Sequence, residues 1–133
     1  MDPKELKVVF GGNYKIDVAY KGHVVRTDQP VRDGGDGTAP SPFDLFLASL
    51  AACAGYYALA FCRERKLPTD GLGVTMTTER GEASKMIDKV TIAIDLPAGF
   101  PEKYRFAITK AVDHCTVKAH VMRAPRFEIV VKP

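Results

Sequence analysis

Three cysteines carry the reactive potential of this 133-residue chain, and their spacing separates their roles. Cys53 and Cys62 lie in one apolar stretch, nine positions apart. On an ideal helix that is about 900 degrees of rotation, so the two point to nearly opposite sides and cannot share a site. Cys62, beside the basic exit of the stretch, reads as a small inert hydrophobe. Cys53 lies twelve residues past the expected helix start at Ser41. The macrodipole has faded there, so a reactive thiolate at Cys53 needs a cation from another segment. The loop feeding the helix offers Arg32, and the strand before that loop offers Arg26. A guanidinium keeps its charge and can pair with a thiolate.

The third cysteine, Cys115, sits in VDHCTVKAHVM. A metal set of His114, Cys115 and His120 has the right residue types but poor spacing, because adjacent residues diverge on a helix and residues five apart do not share a face. His114 reads instead as a group that tunes Cys115 or caps a helix end, and His120 as surface or packing. No metal and no cofactor is expected. Gly34-Gly35-Asp36-Gly37 lacks the strand, lysine and spacing of a phosphate loop and reads as a flexible connection.

The element that must position Cys53 is the stretch Ser41 to Lys66. It has 18 uncharged residues between Asp44 and Arg63, enough to raise the question of a membrane span. Its alanines, with Ser49, Gly55, Tyr56 and Tyr57, dilute the hydrophobicity, and the rest of the chain alternates like a sheet protein, so a buried core helix is expected. Ser41 suits the N-cap, Pro42 the first helical position and Asp44 the first turn. Arg63, Arg65 and Lys66 complement the C-terminal dipole, and Pro68 follows as a stop. A helix apolar around most of its circumference needs cover on a second face. With room for only one main core, the simplest cover is an identical subunit, so a homodimer is expected.

Around this helix the chain alternates. Val8 to Phe10, then Tyr14, Ile16 and Val18, then Val24-Val25 read as an antiparallel meander with turns at Gly11-Gly12-Asn13 and Lys21-Gly22, one face inward. Residues 31–40 read as a loop of the mobile, often functional kind. Val74, Met76 and Thr78, then Val90, Ile92, Ile94 and Leu96, form a second strand pair. Pro101 opens a second helix whose apolar face carries Tyr104, Ala107, Ile108 and Ala111, with Cys115 next in phase. Whether that helix continues through Cys115 or restarts there is left open. Phe127, Ile129 and Val131 read as a closing strand. The expected fold is α+β, one domain over residues 1–133, with antiparallel sheet sections around one long central buried helix and a shorter second helix.

Composition bounds the function. With 26% charged and 46% hydrophobic residues the chain is an ordinary globular domain, and its net charge of +3 is scattered, giving no support for nucleic-acid or membrane-surface binding. MDPKELKVVF has none of the features of a signal peptide. An odd cysteine count without CxxC spacing suits a reducing compartment, so the cytoplasm is expected.

The run GTAPSPFDLFLASLAAC, Gly37 to Cys53, followed by a second cysteine in DHCTVKAH, resembles the OsmC/Ohr family of small cysteine-dependent peroxide reductases. The resemblance follows most of the chain in order and spacing. It implies an intertwined homodimer with two sites at the interface. Cys53 would then be the peroxidatic cysteine that attacks an organic hydroperoxide and becomes a sulfenic acid. Cys115 would be the resolving cysteine that condenses with it, and a dithiol reductant such as a lipoyl group would return both to thiols. Family enzymes carry a Glu directly after the helix-starting proline to position the arginine. Here that place is Phe43, and Asp44, about 100 degrees around the helix, is the nearest acid. The chain thus looks like a divergent, OsmC-like branch. A rival reading from another class is a non-catalytic dimeric domain that holds a small apolar ligand in a pocket of Phe43, Phe46, Tyr56 and Tyr57.

Overall fold

The structure, a computed structural model, describes residues 5–133. The chain divides into two compact units, one ending at Ala48 and the other running from Ser49 to Pro133.

In the first unit, β1 (Lys7–Phe10), β2 (Ile16–Tyr20) and β3 (His23–Thr27) form an antiparallel sheet in the order β1-β2-β3. Val18 pairs with Val8 on one side and with Val25 on the other. The β2-β3 hairpin turns at Lys21 and Gly22, both at positive φ (48° and 78°), which matches the right-handed twist of the strands. The inward face expected from the alternation is weak: β1 is exposed throughout, β2 half-buried, and β3 exposed up to Thr27.

The loop expected over residues 31–40 is present, and a buried carboxylate just before it, that of Asp28, ties it together. Asp28 is fully buried, and its carboxylate accepts from the backbone amides of Gln29 (2.7 Å), Thr38 (3.0 Å) and Asp36 (3.4 Å) and from Thr38 Oγ1 (2.6 Å). A short 3-10 turn, Val31–Asp33, lies within this loop. Gly35 passes so close to Gln29 that an added Cβ would lie 2.0 Å from the Gln29 carbonyl oxygen, so no side chain fits there. Asn13 donates to Gly34 O at 2.9 Å, and Lys15 pairs with Asp36. Asn13 also donates to Asp36 Oδ1 at 3.3 Å, and the Lys15 and Asn13 bonds hold the Asp36 carboxyl below its usual value, Lys15 being the largest cause.

The long helix α1 runs Pro42–Glu64. Its start is as expected: Ser41 Oγ accepts from the Asp44 amide at 3.2 Å. Its end is tied by the Leu67 amide donating to Cys62 O at 2.9 Å, with Lys66 in the left-handed region (φ 55°) that glycine usually takes. Arg65 serves this terminus: its guanidinium donates to Phe61 O and lies 3.6 Å from the centre of the Phe61 ring.

In the second unit, β4 (Gly73–Arg80) and β5 (Ile87–Asp95) form an antiparallel pair with a bulge at Glu79/Arg80. Pro101 is followed by a 3-10 turn, Glu102–Tyr104, and then α2 (Arg105–Asp113). The question left open at Cys115 resolves as a break: a third helix, α3, spans Thr116–Met122. The core gathers Ala54, Ala58, Phe61 and Cys62 of α1 with Ile108 and Val112 of α2, and Ile92, Ile94, Leu72 and Leu96 pack around them. The α1 residues fall at four-, three- and one-residue steps, the stripe of a helix that buries one face. Burying Ile108, 1% exposed, contributes about 2–3 kcal/mol. The closing strand does not form. Residues 124–133 have no regular structure, and Phe127, Ile129 and Val131 are exposed. Alternation made the segment competent for a sheet, but no strand among the described residues pairs with it.

Candidate functional site

Cys53 and Cys115, 62 positions apart, hydrogen-bond each other through their sulfurs. The break between α2 and α3 makes this possible. Cys115 has extended backbone (φ −50°, ψ 124°) and is the N-cap of α3, its Sγ accepting from the Lys118 amide at 3.5 Å. A continuous helix would have carried its side chain past α1 in the phase of Ala111; the break turns it toward Cys53. All three cysteines are free thiols, with Cys115 and Cys62 buried and Cys53 half-buried.

The two sulfurs sit in opposite electrostatic environments. Desolvation pushes the Cys53 thiol up, but the hydrogen bond from Cys115 and those from the Val117 and Thr116 amides together outweigh it, and its pKa lies below the ordinary thiol value. For Cys115, desolvation raises the pKa, and the hydrogen bond to Cys53 raises it further. The favoured arrangement of one negative charge is therefore a Cys53 thiolate accepting from a Cys115 thiol. Sequence reasoning asked for a cation to lower the Cys53 pKa. Within residues 49–133 the stabilising groups are instead backbone amides and a neighbouring thiol. No residue type announces a backbone donor, so this part of the site had no signal in the sequence.

Tyr57, one helical turn after Cys53, places its hydroxyl 2.9 Å from Thr116 Oγ1. Lys118 pairs with Asp113 at the end of α2. His114 is the C-cap residue of α2, and His120 Nδ1 contacts Thr116 O at 2.8 Å. No group of His, Cys, Asp and Glu suited to hold a metal occurs among the described residues. Cys62 is fully buried, and desolvation raises its pKa although Arg65 lowers it in part.

Two hollows border this region. One, of about 560 Å³, is lined mostly by apolar side chains of β5, α2 and α3, among them Ile92, Ile94, Phe106 and Val121, and reaches Cys115. The other, of about 590 Å³, lies between α1 and α2 and includes Tyr56, Tyr57, Phe61 and Arg65. The four aromatics expected to line a pocket are divided between the two units. Tyr56 and Tyr57 line the second hollow, whereas Phe43 and Phe46 stack on each other, centroids 5.8 Å apart, in the first unit. The first hollow was missed because its apolar residues read simply as core positions of a strand and two helices.

The other predicted residues belong to the first unit. The Arg32 side chain is 85% exposed, with Asp33 at 3.9 Å. Arg26 pairs with Asp17 at 3.0 Å. Asp44 stands in the first turn of α1, where its amide is the one capped by Ser41.

A family model described as OsmC-like protein matches residues 35–130, which includes α1, both strands of the second unit, Cys53 and Cys115. The chain belongs to the OsmC-like family. Solved structures agree on the fold of this OsmC-like protein. A Psychrobacter arcticus protein named for osmotic stress induction and detoxification response superposes with TM-score 0.73 at 23% identity, covering 90% of this chain and 88% of its own. An OsmC-like protein from Mycoplasma pneumoniae gives 0.70 at 12% identity, covering 92% and 89%. A Legionella pneumophila protein named as an organic hydroperoxide resistance protein OsmC gives 0.59 at 20% identity, covering 91% and 90%. Among curated proteins none matches. The long apolar helix α1 is accordingly the core helix of an OsmC-like domain.

Proposed function

We propose that this OsmC-like protein reduces organic hydroperoxides with Cys53 as the peroxidatic and Cys115 as the resolving cysteine. The observation that carries the reading is the hydrogen bond between the two sulfurs with their pKa values moved apart, Cys53 down and Cys115 up. A thiolate poised beside a protonated thiol is what the first two steps require. The Cys53 thiolate attacks the distal peroxide oxygen, the O–O bond breaks, and the products are Cys53 sulfenic acid and an alkoxide that takes a proton to become the alcohol. Cys115 sulfur then attacks the sulfenic sulfur, forming the disulfide and releasing water. A dithiol reductant, such as a lipoyl group, gives two electrons and two protons to restore both thiols and leaves as its own disulfide. Neither metal nor cofactor enters.

Arg32 is assigned to stabilise the developing alkoxide, its exposed side chain leaving it available, with Arg26 second and Asp44 the acid that orients the arginine. The apolar hollow beside Cys115 suits the hydrocarbon part of a substrate. The domain spans residues 1–133 and works as a homodimer in the cytoplasm, in oxidative-stress defence. Support for the dimer comes from the second face of α1, where Tyr56 is 64% and Leu59 39% exposed in the single chain.

One equivalent of cumene hydroperoxide tests the chemistry. A Cys53–Cys115 disulfide in peptide mass spectrometry, and peroxide loss abolished by Cys53→Ser, are expected. Thiols left unmodified in a folded protein would overturn it and favour the second reading, a dimeric binder of a small apolar ligand, which the 560 Å³ hollow also supports. Sedimentation equilibrium tests the dimer.

A further inference from the structure

We propose that Tyr57 is a positioning residue for Cys53: through Thr116 it holds the first turn of α3 so that the Thr116 and Val117 amides aim at the Cys53 sulfur. The proposal rests on the reading of Cys53 as the reacting thiolate. Cys53 and Tyr57 are four residues apart on α1 and therefore share a face. The Tyr57 hydroxyl reaches Thr116 Oγ1 at 2.9 Å, on the very residue whose amide serves Cys53.

The need for such a tie follows from α3 itself. Seven residues do not make a helix that holds its own place, and its entry through Cys115 is non-helical. Its other polar anchors, the Lys118–Asp113 pair and the Lys118 bond to Asp113 O at 3.4 Å, bind it to the end of α2. The Tyr57–Thr116 pair binds it to α1, the helix that carries Cys53. Amide-to-sulfur bonds weaken steeply with misalignment, so a small drift of α3 would take both donors from the thiolate while leaving the helix folded. Thr116 and Tyr57 thus control how acidic Cys53 is without touching a substrate.

Cys115 is the ionisable group coupled to Cys53, and the segment that carries the two amides adds Asp113 and His114 at the end of α2 and Lys118 and His120 on α3; all of these are unchanged in the variants that test the idea. The rate of Cys53 alkylation by iodoacetamide is followed against pH in the reduced full-length protein, with site-resolved peptide mass spectrometry reading Cys53 apart from Cys62 and Cys115. Tyr57→Phe and Thr116→Val are each expected to raise the midpoint of the Cys53 profile by about one pH unit, about a tenfold loss of thiolate near neutral pH. Thr116→Ser, which keeps the hydroxyl, is expected to retain the wild-type midpoint. Should Tyr57→Phe disturb the helix, as circular dichroism would reveal, Thr116→Val reads the same contact from its exposed side.

A midpoint unmoved in Thr116→Val and in folded Tyr57→Phe overturns the proposal, as does a Thr116→Ser profile displaced as far as that of Thr116→Val. Because alkylation needs no peroxide, a shifted midpoint in a protein inert to hydroperoxide would sink the proposed function and leave this inference standing.

Discussion

Cys115 is both the N-cap of α3 and the hydrogen-bond partner of Cys53, so the residue that starts a helix also faces the Cys53 sulfur. The double use binds local structure to chemistry. If Cys115 traps the sulfenic acid, Cys115→Ser leaves a protein that folds, because serine is a good N-cap, but that has lost its resolving thiol. Exposure to excess hydroperoxide should then drive Cys53 to the sulfinic acid, a gain of two oxygens on that peptide, where the wild type stops at the disulfide. A Cys53 that remains reduced in Cys115→Ser would contradict its role as the peroxidatic residue.

The start of α1 supplies a stability prediction. Ser41 Oγ satisfies the Asp44 amide at 3.2 Å, one of the four amides without a helical partner. Ser41→Ala should cost about 1 kcal/mol in urea unfolding, and Ser41→Asp should recover most of it, since aspartate accepts the same bond and its charge suits the helix start.

Packing density in the second unit gives another. Ala54 and Ala58 are completely buried in the core they share with Ile108 and Val112 of α2, so a longer side chain at either place must displace its neighbours. Ala58→Leu should destabilise by about 1–3 kcal/mol, or more if α2 cannot shift. Ala52, on the exposed side of α1, offers the contrast: in a monomer Ala52→Leu should be nearly neutral. In the proposed dimer it would weaken association, which sedimentation equilibrium reads directly.

How far the letters reached is explained by the range of the signals. Ser41, Pro42 and Asp44 mark the start of α1 because capping is a matter of three or four consecutive residues, and alternation found β1 to β5 for the same reason. At Cys115 the local signal could not decide: the apolar phase of Tyr104, Ala107, Ile108 and Ala111 runs through it, while the backbone leaves the helix there. Hydrophobic period records which face is apolar and not where φ and ψ change. The amides that serve Cys53 belong to every residue type alike, so no pattern could name Thr116 and Val117. The tail at 124–133 alternates like a strand, yet pairing depends on an available edge, which alternation does not supply.

Asp28 illustrates the same limit and yields the last prediction. Nothing in TDQPVRDGGDGT marks one aspartate above the others, yet Asp28 alone is buried and accepts three backbone amides and a threonine hydroxyl. The Thr38 hydroxyl and amide are the largest causes that hold its pKa far below the ordinary value. A depressed carboxylate stabilises the fold fully above its unfolded pKa of about 4, and that contribution is lost as pH falls from there toward the folded value. Thermal stability should therefore drop as the buffer is taken from about pH 4 to pH 2, with Asp36 and Asp113, also depressed, adding to the slope. Asp28→Asn removes the charge and sets an NH2 against amide donors, so it should lower Tm by several degrees at pH 7 and flatten the acid slope. A Tm–pH curve for Asp28→Asn running parallel to the wild type would show that the loop does not depend on this carboxylate.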